Sequence, residues 1–243
     1  MLAGLLCRPP SSGALACPGQ DHLLAQAAAA YDQREDPRRA ELAGTLYQEV
    51  LRHDPYCQDA TLGLIRASVW IGVASSGEKE LRAYAEASAA AQRLVEASPG
   101  LAEGHYWLGV ALALQANARG PLEGWRLVAL AKASLARALH LDPACEGGGP
   151  HRVLGRLYCR LPPLLGGDKG LAEWHLRQAL AHGPQHWLNH LYLAALLSEL
   201  GRAPEAETLL WQVLAGPAPK GQAAEYQLWR RQALELLDGL PGD

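Results

Sequence analysis

Arg152, Arg156 and Arg160 follow one another at four-residue steps, a spacing that places three guanidinium groups along one face of a helix. Arginine suits carboxylate recognition because its planar fork donates two parallel hydrogen bonds. The same spacing also fits a solvated face, or arginines held by Glu103 and Glu146. Arg66 lies at the matching place in an earlier segment and extends the set. Trp70 and Tyr106 are candidate walls for such a site, while Trp107 and Tyr158 are assigned to packing between helices. Apolar walls with a few convergent polar groups are the common form of a small-ligand pocket. His105, beside Tyr106, is a further candidate for ligand contact.

Other chemistry finds less support. His182, His186 and His190 recur at four-residue steps, but Trp187 stands where the HExxH motif of metalloproteases needs its glutamate. No third ligand or organised surround is identifiable, so packing or groove-lining roles are expected, with no metal and no cofactor. Gly147, Gly148 and Gly149 lead into the arginine-bearing helix and read as a flexible connector. A glycine-rich entry to a helix N-terminus can also hold an anion, but this one lacks the Lys-Ser/Thr ending of a P-loop. There is no GxSxG, and no local motif singles out a Cys–His pair, so an enzyme is not expected. The net charge of −3 speaks against a general nucleic-acid binder. Five scattered cysteines without a CxxC pair support neither a zinc knuckle nor a redox motif.

The elements that must carry these residues announce themselves through proline. Pro55, Pro99 and Pro143 are spaced 44 residues apart, and each closes a helix-like segment (LYQEVLRHDP, AQRLVEASP, LARALHLDP). A similar end, LRQALAHGP, stops at Pro184. Self-similarity on this scale marks stacked helical units, none of which can bury its apolar face alone. Alanine and leucine dominate and β-branched residues are scarce, which favours helix throughout. With 49% hydrophobic and 19% charged residues, the chain is expected to pack rather than remain disordered. The breaks predict helix pairs at about 21–34 and 37–53, 58–73 and 78–97, 101–117 and 122–141, 150–161 and 168–182, and 185–200 and 203–215. A last helix near 221–238 is expected to cap the stack. Asp168 is a plausible N-cap.

These features resemble the tetratricopeptide repeat family, which places Leu-Gly and an aromatic in the first helix of a pair, small residues in the second and proline after it. The third pair has Trp107-Leu108-Gly109, Ala131, Ala138 and Pro143. The fourth has Leu154-Gly155, Tyr158, Ala172, Ala179 and Pro184, and the fifth Leu193-Ala194 and Ala206. In the first two pairs only the second helices and their prolines fit well. Within that family, residues 102–109 (AEGHYWLG) and 146–167 (EGGGPHRVLGRLYCRLPPLLGG) resemble the TatT-type proteins associated with TRAP transporters. The resemblance implies an all-α solenoid of about five antiparallel pairs, with first helices lining a concave groove and the arginines facing it.

The resemblance also implies a non-catalytic binding protein that takes an acidic small molecule or a partner's peptide and assists organic-acid uptake. Such proteins are typically periplasmic lipoproteins, and at least one is trimeric, so a homo-oligomer is an open expectation. Residues 1–20 are expected to form a disordered tail or a degenerate lipoprotein signal, and 21–240 the repeat domain. Ala14-Leu15-Ala16-Cys17 is close to a lipobox, which makes Cys17 the candidate lipidation site. No run approaches the roughly 20 apolar residues that span a bilayer. The rival reading is a cytoplasmic scaffold that assembles proteins without a small ligand.

Overall fold

The computed structural model describes Cys17 and residues 19–240, with Pro121 and Leu122 described by their backbone alone. The expectations for the N-terminal tail therefore fall outside the described residues, apart from Cys17, Gly19 and Gln20. Among the described residues the secondary structure is helical throughout, without a strand. Five pairs are present: α1 (Asp21–Asp32) with α2 (Pro37–His53), α3 (Gln58–Val73) with α4 (Gly77–Ala97), α5 (Ala102–Arg119) with α6 (Pro121–Leu141), α7 (Cys145–Arg160) with α8 (Lys169–His182), and α9 (Trp187–Glu199) with α10 (Ala203–Ala215). A terminal helix, α11 (Ala223–Asp238), follows. No described helix is long and apolar enough to cross a membrane. The helices gather in two compact units, up to Ser134 and from Leu135, with the division inside α6.

The turns from one pair to the next share one construction. Before each proline the backbone leaves the helix because the proline ring crowds the residue ahead of it. Asp54, Ser98 and Gly183 accordingly have ψ of 92°, 71° and 68°. Their amides still close the last helical turn, onto Val50, Leu94 and Ala179. Three residues later the chain is pinned again: Cys57 N–H donates to Asp54 O at 3.2 Å, Leu101 to Ser98 at 3.0 Å, Cys145 to Asp142 at 3.2 Å and His186 to Gly183 at 3.1 Å. At other ends side chains cap the helices. Asp36 accepts from Arg38 N–H ahead of Pro37, and Asp168 accepts from Leu171 N–H, the role expected of it.

Packing between helices relies on positions with no room for a larger side chain. A Cβ on Gly155 would lie 2.6 Å from Leu176 Cγ, one on Gly63 would lie 2.3 Å from the Tyr47 ring, and one on Gly72 would lie 2.3 Å from the Tyr84 ring. Leu62-Gly63 falls 46 residues before Leu108-Gly109, which falls 46 before Leu154-Gly155, so the second pair carries the same device in its first helix. Ala87, Ala111, Ala131, Ala138, Ala172, Ala179, Ala194 and Ala206 are wholly buried. In the second compact unit Leu176, Leu191, Leu196, Leu197, Leu210 and Val213 form the core, and α11 covers it with Tyr226 and Trp229. Tyr226 Oη donates to Val213 O at 3.2 Å, which satisfies its hydroxyl as the ring is buried.

Cys17 and Cys57 form a disulfide, 40 residues apart in sequence. This corrects the expectation of a lipid on Cys17, because a thioether to lipid needs the sulfur that the disulfide already uses. Among the described residues, Cys145 and Cys159 stand outside any disulfide. A cross-link closing a loop of this length stabilises by roughly 3–4 kcal/mol, mainly by restricting the unfolded chain. Reduction with dithiothreitol, or the Cys57→Ser substitution, is expected to lower the thermal midpoint by several degrees. An unchanged midpoint after reduction, checked by thiol counting, would show that the bond is absent from the folded protein.

Candidate functional site

The arginine triplet divides by burial. Arg152 is only 3% exposed and its guanidinium is used inside the protein. Nη1 donates to Asn189 Oδ1 at 2.9 Å and lies 3.4 Å from the carbonyl oxygens of Glu146 and Gly147. Asn189, also fully buried, donates through Nδ2 to Gly147 O (3.0 Å), Ala179 O (2.9 Å) and Gly183 O (2.8 Å). One arginine and one asparagine thus tie the start of α7, the end of α8 and the start of α9. Arg152 is a structural residue and not a ligand contact, which corrects its place in the expected stripe.

The glycine run is part of the same knot. Glu146, Gly147 and Gly148 take left-handed backbone angles, with φ of 48°, 63° and 75°. A Cβ on Gly148 would meet Ala179 O at 2.6 Å, and one on Gly183 would meet Gly147 O at 2.2 Å. Two chain segments pass so closely that only glycine fits both sides. The run is a packed crossing instead of the flexible connector expected from its composition. A left-handed non-glycine residue costs about 1–3 kcal/mol, which the hydrogen bonds from Arg152 and Asn189 offset. Asn189→Ala is expected to lower unfolding free energy by about 2–4 kcal/mol in urea titration, since it leaves buried carbonyls and a buried guanidinium short of partners. Adding Arg152→Ala should cost less than the sum of the two single changes.

Arg156 and Arg160 remain available. Arg156 is half-buried on α7, its guanidinium 4.9 Å above the ring centroid of Tyr192 on α9, and Arg160 is exposed at the end of α7. Neither has a carboxylate partner among the described residues. Both α7 and α9 are the leading helices of their pairs, so this contact lies on the face those helices share. Tyr192 was not among the expected residues; it sits two positions before Ala194, as Trp107 sits two before Gly109, and that register could have found it. Close by, Lys169 pairs with Glu199 at 3.1 Å. The Cys159 thiol is pushed up by burial and by Glu199, the opposite of a reactive cysteine.

In the first compact unit the aromatic assignments exchange places. Tyr106 is 5% exposed and packs edge-on against Trp107, with centroids 5.1 Å apart, so it is no groove wall. Trp107, expected to be internal, is half-buried with the Arg66 guanidinium 5.7 Å from its ring. Trp70 is half-buried and donates from Nε1 to Arg34 O at 2.7 Å. His105 Nε2 lies 3.0 Å from Pro99 O, tied to the turn before α5. The same unit has an open cavity of about 510 Å³ that no sequence motif marked. Leu51, Leu64 and Leu94 line it together with the exposed Arg52, Tyr56 and Arg93.

The histidines sort by neighbour. His190 uses both nitrogens, 2.9 Å from Gln212 Oε1 and 2.8 Å from Pro184 O. The His186 ring packs against Trp229 at 5.3 Å, and burial first, then the Arg152 charge, hold it well below the usual imidazole range. His182 lies on α8 and stacks on His151 at 5.6 Å with an interplanar angle of 10°. Three histidines at four-residue steps therefore face three different surroundings. Among the described residues, the set of three metal-binding side chains within mutual reach is Cys17, Asp54 and Cys57, and two of these are already joined as the disulfide.

His151 is lowered to about 4 by burial, with added repulsion from His175 and His182. A depressed imidazole binds fewer protons when folded than when unfolded, so its contribution to stability is complete above about pH 6.5 and is lost as the pH falls toward 4. His186 acts in the same direction. The thermal midpoint is expected to fall between pH 7 and pH 5, and His151→Asn should reduce that slope in a series of melts.

The fold defines a tetratricopeptide-like α-solenoid. The family model for the TRAP transporter T-component matches residues 70–239, and the chain belongs to that family. No match is found among curated proteins. Among solved structures, TTC0263, a thermophilic TPR protein of Thermus thermophilus, is 23% identical with a TM-score of 0.65, over 87% of this chain and 99% of that one. MamA is 17% identical with a TM-score of 0.48, over 86% of this chain and 95% of that one. The first of these likenesses shows the fold alone.

Proposed function

We propose that the chain is a non-catalytic T-component that binds a carboxylate-bearing small molecule on the α7–α9 face, in support of organic-acid uptake. The observation that carries this reading is Arg156, seated on the Tyr192 ring and lacking a carboxylate partner among the described residues. An arginine stacked on an aromatic keeps its fork presented to solvent, and its charge is not spent internally. Arg160, four residues on, adds a second cation along the same helix. The Cys17–Cys57 disulfide supports an oxidising compartment such as the periplasm, which suits a partner of a transporter better than the cytoplasmic rival does.

Exposed apolar side chains favour a second element, a protein partner or another copy of the chain. Leu164 is 98% exposed, and Trp174 and Trp211 are each more than half exposed. The carboxylate reading answers to thermal shift and calorimetry with a panel of mono- and dicarboxylates. A ligand at 100 times its Kd stabilises the fold by about 2.7 kcal/mol. At least one acid is expected to raise the midpoint, and Arg156→Ala should abolish that shift with the helical circular dichroism unchanged. If no acid shifts the midpoint, or if Arg156→Ala binds as the parent does, the carboxylate reading is wrong.

A further inference from the structure

Four rings form a ladder along one side of the α7–α8 hairpin. His151 and Tyr158 are seven residues apart on α7, and His175 and His182 are seven apart on α8. Seven residues are two helical turns, so each pair shares a face, and the antiparallel helices interleave them. His182 stacks on His151 at 5.6 Å, and His175 stacks on Tyr158 at 5.5 Å with an interplanar angle of 17°. Between the stacks, His151 Nδ1 and His175 Nδ1 are 2.9 Å apart. Trp174 flanks both imidazoles edge-on, at 5.5 Å from His151 and 4.8 Å from His175.

A neutral pair at that distance shares one proton. The same separation has a second meaning. Two imidazole nitrogens bound to one ion at ~2.0–2.1 Å lie about 2.9 Å apart when the angle at the metal is a right angle, and about 3.3 Å apart at the tetrahedral angle. The pair is therefore pre-spaced for neighbouring positions of a square-planar or octahedral ion. Nitrogen ligands in tetragonal geometry are the preference of Cu²⁺ and Ni²⁺. The rings are also held before the ion arrives. His151 is 6% exposed and stacked, and His175 is fixed between Tyr158 and Trp174, so the two nitrogens are kept at this spacing and an ion needs only a turn of each ring toward it.

We propose that His151 and His175 form a two-nitrogen chelating site for a divalent transition cation of tetragonal preference, Cu²⁺ or Ni²⁺. Binding through both Nδ1 atoms converts the donor ring to its Nε2–H tautomer, the shared proton moving from Nδ1 to Nε2 by exchange with solvent. Both rings then ligate as neutral imidazoles, and the other coordination positions are left to water. His182 does not converge on the same point as the other two imidazoles, and it packs against the site without ligating. The site is separate from Arg156 and Tyr192, and it does not depend on the carboxylate reading.

The test uses tag-free full-length protein titrated with CuCl₂, and separately with NiCl₂, by calorimetry. Electron paramagnetic resonance of the one-equivalent Cu²⁺ sample counts the bound nitrogens. One equivalent is expected to bind with Kd below roughly 10 μM, and its spectrum should show two nitrogens. His175→Gln should weaken that binding at least tenfold, while His182→Gln leaves it within about twofold. Circular dichroism melts confirm that the variants are folded, and the nitrogen count on the parent protein stands if His175→Gln is not. The proposal is overturned if no equivalent binds in that range, if the spectrum shows one nitrogen or none, or if a folded His175→Gln binds as the parent does.

Discussion

The structure depends on how closely neighbouring helices approach, and that approach is set by what is missing from their surfaces. Gly63, Gly72 and Gly155 each face a side chain that occupies the space a Cβ would need. Wholly buried alanines line the remaining seams. Glycine inside a helix weakens it by about 0.5–1 kcal/mol relative to alanine, so the contacts it permits must return more than that. Here the return is the insertion of Tyr47, Tyr84 and Leu176 against bare backbone. Because each pair covers its neighbour within a unit, stability accumulates from pair to pair, and α11 with Tyr226 and Trp229 covers the core where the pairs end.

A second constraint is local and polar. At the junction of α7, α8 and α9 the chain crosses itself at Gly147, Gly148 and Gly183, and the carbonyls exposed by this crossing need donors. Asn189 and Arg152 supply them. The contrast between Arg152 and Arg156, four residues apart on one helix, follows from what each meets. Arg152 meets carbonyls in a buried knot, whereas Arg156 meets the face of Tyr192 at the surface. Only the second can exchange its partner for a ligand without leaving buried groups unsatisfied.

The helices were legible because their signals are local. Proline positions, Ala/Leu composition and short polar breaks placed every helix pair to within a few residues of its observed bounds. The site was less legible because its sorting is tertiary. Periodicity put Arg152, Arg156 and Arg160 on one face, but burial of the first depends on Asn189, 37 residues away. Tyr106 and Trp107 are adjacent, and a small change in helix phase decides which is buried; here it is Tyr106. A glycine run looks the same on paper whether it is loose or jammed against another backbone, and here it is jammed. The disulfide was hidden because the motif around Cys17 drew attention to lipid, while its partner Cys57 sits in an ordinary turn. The histidine ladder arises from seven-residue spacings on two separate helices, a pattern visible only when both helices are laid side by side.

The proline turns joining successive pairs carry a consequence for how such a chain can change. Four residues separate α2 from α3, α4 from α5 and α8 from α9, and each of these links is closed by the same amide-to-carbonyl bond across the proline. The links inside pairs vary freely, from the lone Gly120 to the eight residues 161–168. Length is therefore elastic at one end of the hairpins and rigid at the other. Adding a residue within 98–101 would rotate everything downstream out of phase, whereas the stretch around Leu164 can absorb an insertion. Loop grafting, tagging and natural divergence should all concentrate on that permissive edge.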